Sequence, residues 1–85
     1  MKKESIEILA PEGLHARPAG VIVKEAAKFA SEIKLAKGAK EVNAKKLISV
    51  LSLGAKKGEV VVLTVEGADE DAAFDKIKTL ILEAE

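Results

Sequence analysis

Alternation of apolar and polar residues along the chain predicts its strands. Residues 3–10 alternate in this way, which is typical of a strand with one buried face. Ile33 and Leu35 alternate with polar or small neighbours and predict a second strand. The run over residues 59–66 is mostly β-branched and apolar, so we expect it to form a central strand of the sheet.

Three other segments have the apolar spacing of helices. Over residues 16–29, apolar side chains recur every three or four positions. The predicted core face of this helix consists of Ala19, Ile22, Val23, Ala26 and Ala30. A short apolar helix follows over residues 46–53, and Gly54 suits its C-terminal cap. The last helix begins after Asp69, which we expect to cap it. Its apolar stripe consists of Ala73, Ile77, Leu80, Ile81 and Ala84.

The order of these elements predicts the fold class. Residues 37–40 suit a hairpin turn into a short third strand over residues 41–43. The complete order is then βαββαβα, which predicts an α+β fold with helices packed on one face of a small antiparallel sheet. The 85 residues are enough for one domain with one modest core, and we expect that single domain to span residues 1–85.

Composition narrows the class of function. The formal net charge is zero and the only aromatic residues are two phenylalanines, so we expect no nucleic-acid partner. The absence of cysteine rules out disulfides and thiolate chemistry and is consistent with a reducing compartment. We see neither a signal peptide nor a membrane-spanning run, and we expect a cytoplasmic protein that does not insert into membranes.

The single histidine and the single arginine of the chain lie two residues apart, at His15 and Arg17. Residues 11–13 form a Pro-Glu-Gly sequence suited to a turn, and Pro18 suits the first turn of the following helix. His15 then lies at or near the helix N-cap. Unpaired amides and the positive end of the helix dipole favour an anion there, and the Arg17 guanidinium can bind a phosphate. The pattern favours a phosphoryl group carried on His15 itself.

Other kinds of chemistry at His15 would require residues that the chain does not provide. A metal site needs more ligands than His15 and Glu12, so we expect no metal and no cofactor. A hydrolytic triad needs a serine beside the ring, and neither Ser49 nor Ser52 lies in a nucleophile elbow. Residues 54–58 contain glycines and lysines but not the spacing of a nucleotide-binding loop.

The apolar residues of the first two helices exceed what one core face needs. We expect Val50 and Leu53 to be buried beneath the short helix. Four others are equally consistent with burial or with an exposed apolar patch that binds a protein partner. These are Val21, Leu47, Ile48 and Leu51.

Three segments of the chain have distinctive sequences. They are Gly-Leu-His-Ala-Arg-Pro-Ala at residues 13–19, Asn-Ala-Lys-Lys-Leu-Ile-Ser-Val-Leu-Ser-Leu-Gly at residues 43–54, and Glu-Gly-Ala-Asp-Glu at residues 66–70. These segments closely resemble the HPr family, the histidine-containing phosphocarriers of the bacterial phosphoenolpyruvate:sugar phosphotransferase system. The resemblance covers essentially the whole chain. It implies an open-faced β-sandwich in which three helices cover one side of four antiparallel strands.

The resemblance also implies roles for individual residues. His15 would accept a phosphoryl group on Nδ1 from phosphorylated enzyme I and pass it to IIA domains of sugar permeases. Arg17 would neutralise the phosphate, Ala16 would offer a helix N-terminal amide, and Pro18 would set the helix start. The residues that would dock both partners are Gly20, Val21, Lys24, Leu47, Ile48, Ser49, Leu51 and Ser52. The protein would be a carrier rather than an enzyme, and we expect a monomer.

One residue departs from many relatives. Lys46 occupies the position at which those relatives carry a regulatory serine, so we expect no serine-based regulation there. Three alternatives remain: a carrier of the closely similar nitrogen branch, a regulatory module that acts by contact alone, and, remotely, an enzyme that uses His15 as an acid or base.

Overall fold

The sheet is built from four antiparallel strands. In a computed structural model that describes residues 1–85, these are β1 (Lys2–Glu7), β2 (Glu32–Lys37), β3 (Lys40–Asn43) and β4 (Val60–Glu66). Their spatial order is β1-β4-β2-β3. The prediction that the β-branched run is central is confirmed, because β4 pairs with β1 on one side and with β2 on the other.

One face of the sheet is apolar and buried, as the alternation predicts. Leu63 lies opposite Leu35 across β4 and β2, and Val61 lies opposite Ile6 across β4 and β1. All four are buried. Residues between them, such as Ser5, point to the other face, which no helix covers. The register therefore directs every second side chain into one core.

Three helices cover the apolar face: α1 (Ala16–Ala26), α2 (Leu47–Leu51) and α3 (Glu70–Glu83). Ile22 of α1 and Ile77 and Ile81 of α3 are fully buried. The α+β class and the βαββαβα order are confirmed. None of the helices has the length and apolarity needed to cross a membrane.

The predicted end of the first helix is wrong by three residues. α1 ends at Ala26, and the amides of Lys28 and Phe29 donate to the carbonyls three residues back, in tighter turns. Ala30 was expected on the core face of this helix, but it is exposed. Because the chain has left the helical path by then, the helical spacing no longer applies to Ala30.

The side chain of Asp69 does not cap the last helix, contrary to our prediction. Asp69 does lie at the N-cap of α3, but its carboxylate makes no capping hydrogen bond. It accepts hydrogen bonds from the main-chain amides of Ala30, at 2.8 Å, and Ser31, at 2.9 Å, and from the Ser31 hydroxyl. The segment after α1 presents these three donors together, so the carboxylate bridges two elements instead of closing one helix.

This bridge should make the stability of the protein sensitive to acid. The hydroxyl of Ser31, followed by the Ala30 amide, holds the pKa of Asp69 below its ordinary value. A lowered pKa in the folded state stabilises the protein above the unfolded pKa, about 4, and this contribution is lost as the pH falls through the folded pKa. Asp69→Asn should therefore lower the melting temperature by several degrees at pH 6 and by much less near pH 3.

Thermal unfolding followed by circular dichroism between pH 2.5 and pH 7 measures this effect. Asp75→Asn is the matched control, because Asp75 forms no ion pair and no side-chain hydrogen bond. A melting-temperature difference for Asp69→Asn that is constant over this range would contradict the assignment.

Candidate functional site

His15 is the N-cap residue of α1, as predicted. Its main chain is extended, with φ −81° and ψ −172°, and its carbonyl accepts the first helical hydrogen bond from the Ala19 amide at 3.0 Å. The imidazole forms no capping bond of its own, and its side chain is 33% exposed. The ring thus lies at the helix N-terminus, and neither of its nitrogens is used to cap the helix.

Two acceptors face one nitrogen of this ring. Nε2 of His15 lies 3.3 Å from the main-chain oxygen of Glu85 and 3.6 Å from a carboxylate oxygen of Glu12. Both oxygens only accept hydrogen bonds, so the arrangement favours a proton on Nε2. In the neutral ring the lone pair then lies on Nδ1. Sequence reasoning missed Glu85, because 70 residues separate it from His15 and no local pattern connects them.

The first turn of α1 supplies main-chain donors beside the ring. Ala16 and Arg17 are the first two helical residues, so their amides have no partner within the helix. Pro18 follows without an amide proton and is buried. The positive end of the helix dipole therefore lies next to His15, together with free N–H groups that suit an anion.

Arg17 borders a shallow cleft between α1 and the end of the chain. The cleft has a volume of about 310 Å³. Its lining residues are Arg17, Pro18, Val21, Leu80, Glu83, Ala84 and Glu85. Arg17 is exposed and is absent from every ion pair of the protein. Its guanidinium is consequently free to bind an anion that reaches His15.

The turn before His15 is packed directly against another part of the main chain. The Gly13 amide donates to the Ala10 carbonyl at 2.9 Å, which closes the predicted Pro-Glu-Gly turn. The next amide, of Leu14, donates to the Ala55 carbonyl at 2.9 Å. Gly13 has φ +69°, and a Cβ at this position would overlap the Ala55 oxygen. His15 therefore follows a segment whose main chain packs against Ala55 and Lys56.

Some of the surplus apolar residues of α1 and α2 are exposed at the surface, and the others are buried in the core. Val21 is 46% exposed, Leu47 39% and Ile48 77%. Leu51 is half-buried and packs against the core, whereas Val50 and Leu53 are buried as predicted. The exposed members lie on two helices that contact each other, α1 and α2, and His15 caps the first of these. The other residues expected on this surface are Gly20 and Ser49, which are half-buried, and Lys24 and Ser52, which are exposed.

Lysines border this surface at α2. Lys46 is the N-cap residue of α2; it is exposed and makes no capping bond. The ammonium of its neighbour Lys45 is occupied, since it donates to the Phe29 carbonyl at 2.7 Å. Neither Lys46 nor Lys24 forms an ion pair. The surface is therefore apolar with unpaired positive charges at its edge.

Comparisons with known proteins agree on one family. A family model described as "PTS HPr component phosphorylation site" matches residues 2–83. The phosphocarrier protein HPr of Buchnera aphidicola is 42% identical over 85 residues, which is 100% of both chains. The crystal structure of HPr-C-His from Thermoanaerobacter tengcongensis, 47% identical, matches with a TM-score of 0.91 over 95% of this chain and 91% of that one. An HPr dimer from the same organism, also 47% identical, matches with a TM-score of 0.75 over 95% and 93% of the two chains.

Proposed function

Because the chain belongs to the HPr family of phosphocarrier proteins, we propose that His15 carries the phosphoryl group, on Nδ1 of its ring. The function is that of a carrier in the phosphotransferase system, rather than of an enzyme. The observation that carries the assignment to Nδ1 is the pair of acceptors at Nε2, the Glu85 main-chain oxygen and the Glu12 carboxylate. They favour the tautomer whose Nδ1 lone pair is free for attack.

The transfer step needs little beyond position and charge. The Nδ1 lone pair attacks phosphorus, and the bond between phosphorus and the donor breaks with its electron pair left on the donor. Nε2 keeps its proton throughout, so no separate base is required. The amides of Ala16 and Arg17, the helix dipole and the Arg17 guanidinium stabilise the negative oxygens of the phosphoryl group.

Phosphorylation with enzyme I, phosphoenolpyruvate and magnesium tests the proposal. With the protein labelled with ¹⁵N, NMR should detect one phosphoryl group per chain, bonded to Nδ1, labile in acid and stable in alkali. A reference HPr confirms that enzyme I is competent. An unmodified protein would reject the proposed carrier residue, and a phosphoryl group on Nε2 would reject the tautomer argument.

We propose that enzyme I and the IIA domains of sugar permeases are the partners, and that both dock on the exposed surface of α1 and α2. The support is the combination of exposed Val21, Leu47 and Ile48 with the unpaired charges of Lys24 and Lys46. This surface adjoins His15, so a partner that covers it brings its own reactive group to the ring. Residue 46 is a lysine, so the serine that many relatives carry at this position is not present for phosphorylation.

Ile48→Thr should weaken partner binding with little effect on folding. Ile48 is 77% exposed, so the free protein loses little buried area, whereas a docked partner loses an apolar contact worth about 1.4 kcal/mol, or tenfold in Kd. Titration of enzyme I followed by NMR or calorimetry measures it. Val60→Thr, at a 50% exposed position on the open face of the sheet, is the control. If both variants weaken the binding of enzyme I equally, the effect is not specific to the surface of α1 and α2, and the proposed docking surface is contradicted.

Two other hypotheses for the same fold make different predictions. In the first, a regulatory module acts by contact alone, and the His15→Ala variant would regulate its partner normally. In the second, the carrier serves the nitrogen branch, and nitrogen-type IIA proteins would be captured in preference to sugar-type ones. The intact His15–Arg17 pair favours phosphoryl transfer over contact alone.

We also propose a cytoplasmic monomer. The edge strand β1 is held to α3 by ion pairs from Glu4 to Lys78, at 2.6 Å, and from Lys2 to Asp71, at 3.3 Å. These contacts favour retention of β1 in its own sheet. Sedimentation velocity should give one species at the mass of a single chain, and a dimer like that of T. tengcongensis HPr is the contrary result.

A further inference from the structure

The loop over residues 54–59 packs against the segment that leads to His15. Its Ala55 carbonyl receives the Leu14 amide at 2.9 Å, one residue before the histidine. Ala55 is only 5% exposed, and Gly13 has no room for a Cβ against this loop. A shift of the loop would therefore be transmitted to His15 through main-chain contacts and not through flexible side chains.

Glu59 closes this loop from its C-terminal end. A carboxylate oxygen of Glu59 accepts the Lys56 amide at 2.7 Å, while the Glu59 amide donates to the Lys56 carbonyl at 3.0 Å. The two bonds join the same pair of residues in opposite directions and fix the turn between them. The Lys56 amide and then the Lys37 ammonium keep the pKa of Glu59 below its ordinary value, so the carboxylate is charged at neutral pH.

Lys37 holds both ends of the loop at once. It is the last residue of β2, and its ammonium donates to the Gly54 carbonyl at 3.1 Å and to the Glu59 carboxylate at 3.3 Å. One cation thus holds the carbonyl just before Ala55 and the carboxylate that closes the turn after it. The side chain of Lys37 is 33% exposed. Lys34, on the same strand, makes only a 3.9 Å contact with Glu41 and touches no loop carbonyl.

We infer that Lys37 and Glu59 are positioning residues for phosphoryl transfer: together they hold the loop over residues 54–59 so that the Ala55 carbonyl meets the Leu14 amide and places His15. This rests on the proposed role of His15 as the phosphoryl carrier. Neither residue contacts the imidazole or belongs to the proposed docking surface. Loss of the pair should therefore slow transfer without weakening partner binding.

Lys37→Met is the variant that tests the inference, with Lys34→Met as the matched control on the same strand. At saturating phosphorylated enzyme I, Lys37→Met should slow phosphoryl acceptance about tenfold, because small displacements of reacting groups are costly. The KM for enzyme I should stay unchanged. Lys37→Arg, which keeps donors for both acceptors, should restore most of the rate. Lys34→Met should resemble wild type in all of these measurements.

A second measurement does not depend on phosphorylation. Amide hydrogen exchange at Leu14 should accelerate in Lys37→Met, and to a smaller extent in Glu59→Gln, which keeps the acceptor but loses the charge. If wild type accepts no phosphoryl group, the proposed carrier role fails, and the Leu14 exchange still decides whether Lys37 positions this segment. Unchanged Leu14 exchange would overturn the inference. So would an unchanged rate, a raised KM with unchanged kcat, or a failed rescue by arginine.

Discussion

His15→Ala should abolish phosphoryl acceptance, and His15→Gln should do the same. The chain has no second histidine, so no other imidazole can replace the lost nucleophile. Glutamine keeps a hydrogen-bond donor that can face the Glu85 oxygen, whereas alanine does not. Comparison of the two variants therefore separates the loss of the ring nitrogen from the loss of the contact with Glu85. Mass spectrometry at neutral to alkaline pH should find no added phosphoryl group in either variant, against one per chain in wild type.

The fold should survive these substitutions. The His15 side chain is partly exposed and makes no capping bond, so the free energy of unfolding should change by no more than about 0.5 kcal/mol. Binding of enzyme I, measured by titration, should persist because the surface on α1 and α2 is intact. Stoichiometric phosphorylation of His15→Ala would place the carrier group on another residue and refute the site.

Gly13→Ala should destabilise the protein strongly for so small a substitution. A Cβ at this position would overlap the Ala55 oxygen and lie 2.8 Å from the Lys56 Cα, both main-chain atoms that cannot rotate away. A φ of +69° adds strain of about 1–2 kcal/mol, and the forced displacement costs about 1–3 kcal/mol more. Urea unfolding should therefore show a loss of about 3.5 kcal/mol, the middle of that combined range, and the displaced His15 should accept phosphoryl groups slowly.

Substitutions at two other glycines separate the cost of the positive φ from the cost of the contact with the loop. Gly38 has φ +60°, but a Cβ there would have no atom within 4 Å, so Gly38→Ala should show the φ cost alone. Gly20 lies in α1 with open space around it and no positive φ, so Gly20→Ala should stabilise the protein by up to about 1 kcal/mol. Equal losses for Gly13→Ala and Gly38→Ala would show that the contact with Ala55 is unimportant.

Local patterns in the sequence determined most of the fold. Alternation identified the strands, helical spacing identified α1, α2 and α3, and the β-branched run over residues 59–66 identified the central strand. The position of His15 at a helix N-cap followed from a turn sequence before it and Pro18 after it. These features depend on residues close together in the chain, where backbone sterics and periodic burial act directly.

Tertiary structure alone decided which distant groups meet. Asp69 was correctly placed at a helix N-terminus, yet its carboxylate bonds Ala30 and Ser31, because packing brings three donors to it from outside its own helix. The Glu85 oxygen reaches His15 across nearly the whole chain, and Lys37 reaches two points of the loop over residues 54–59. Such contacts depend on how the completed elements pack, and no periodicity records them. The sequence by itself determined the elements and the histidine at the helix N-terminus; only their packing decided which groups face Nε2 of the ring and which loop contacts the segment before it.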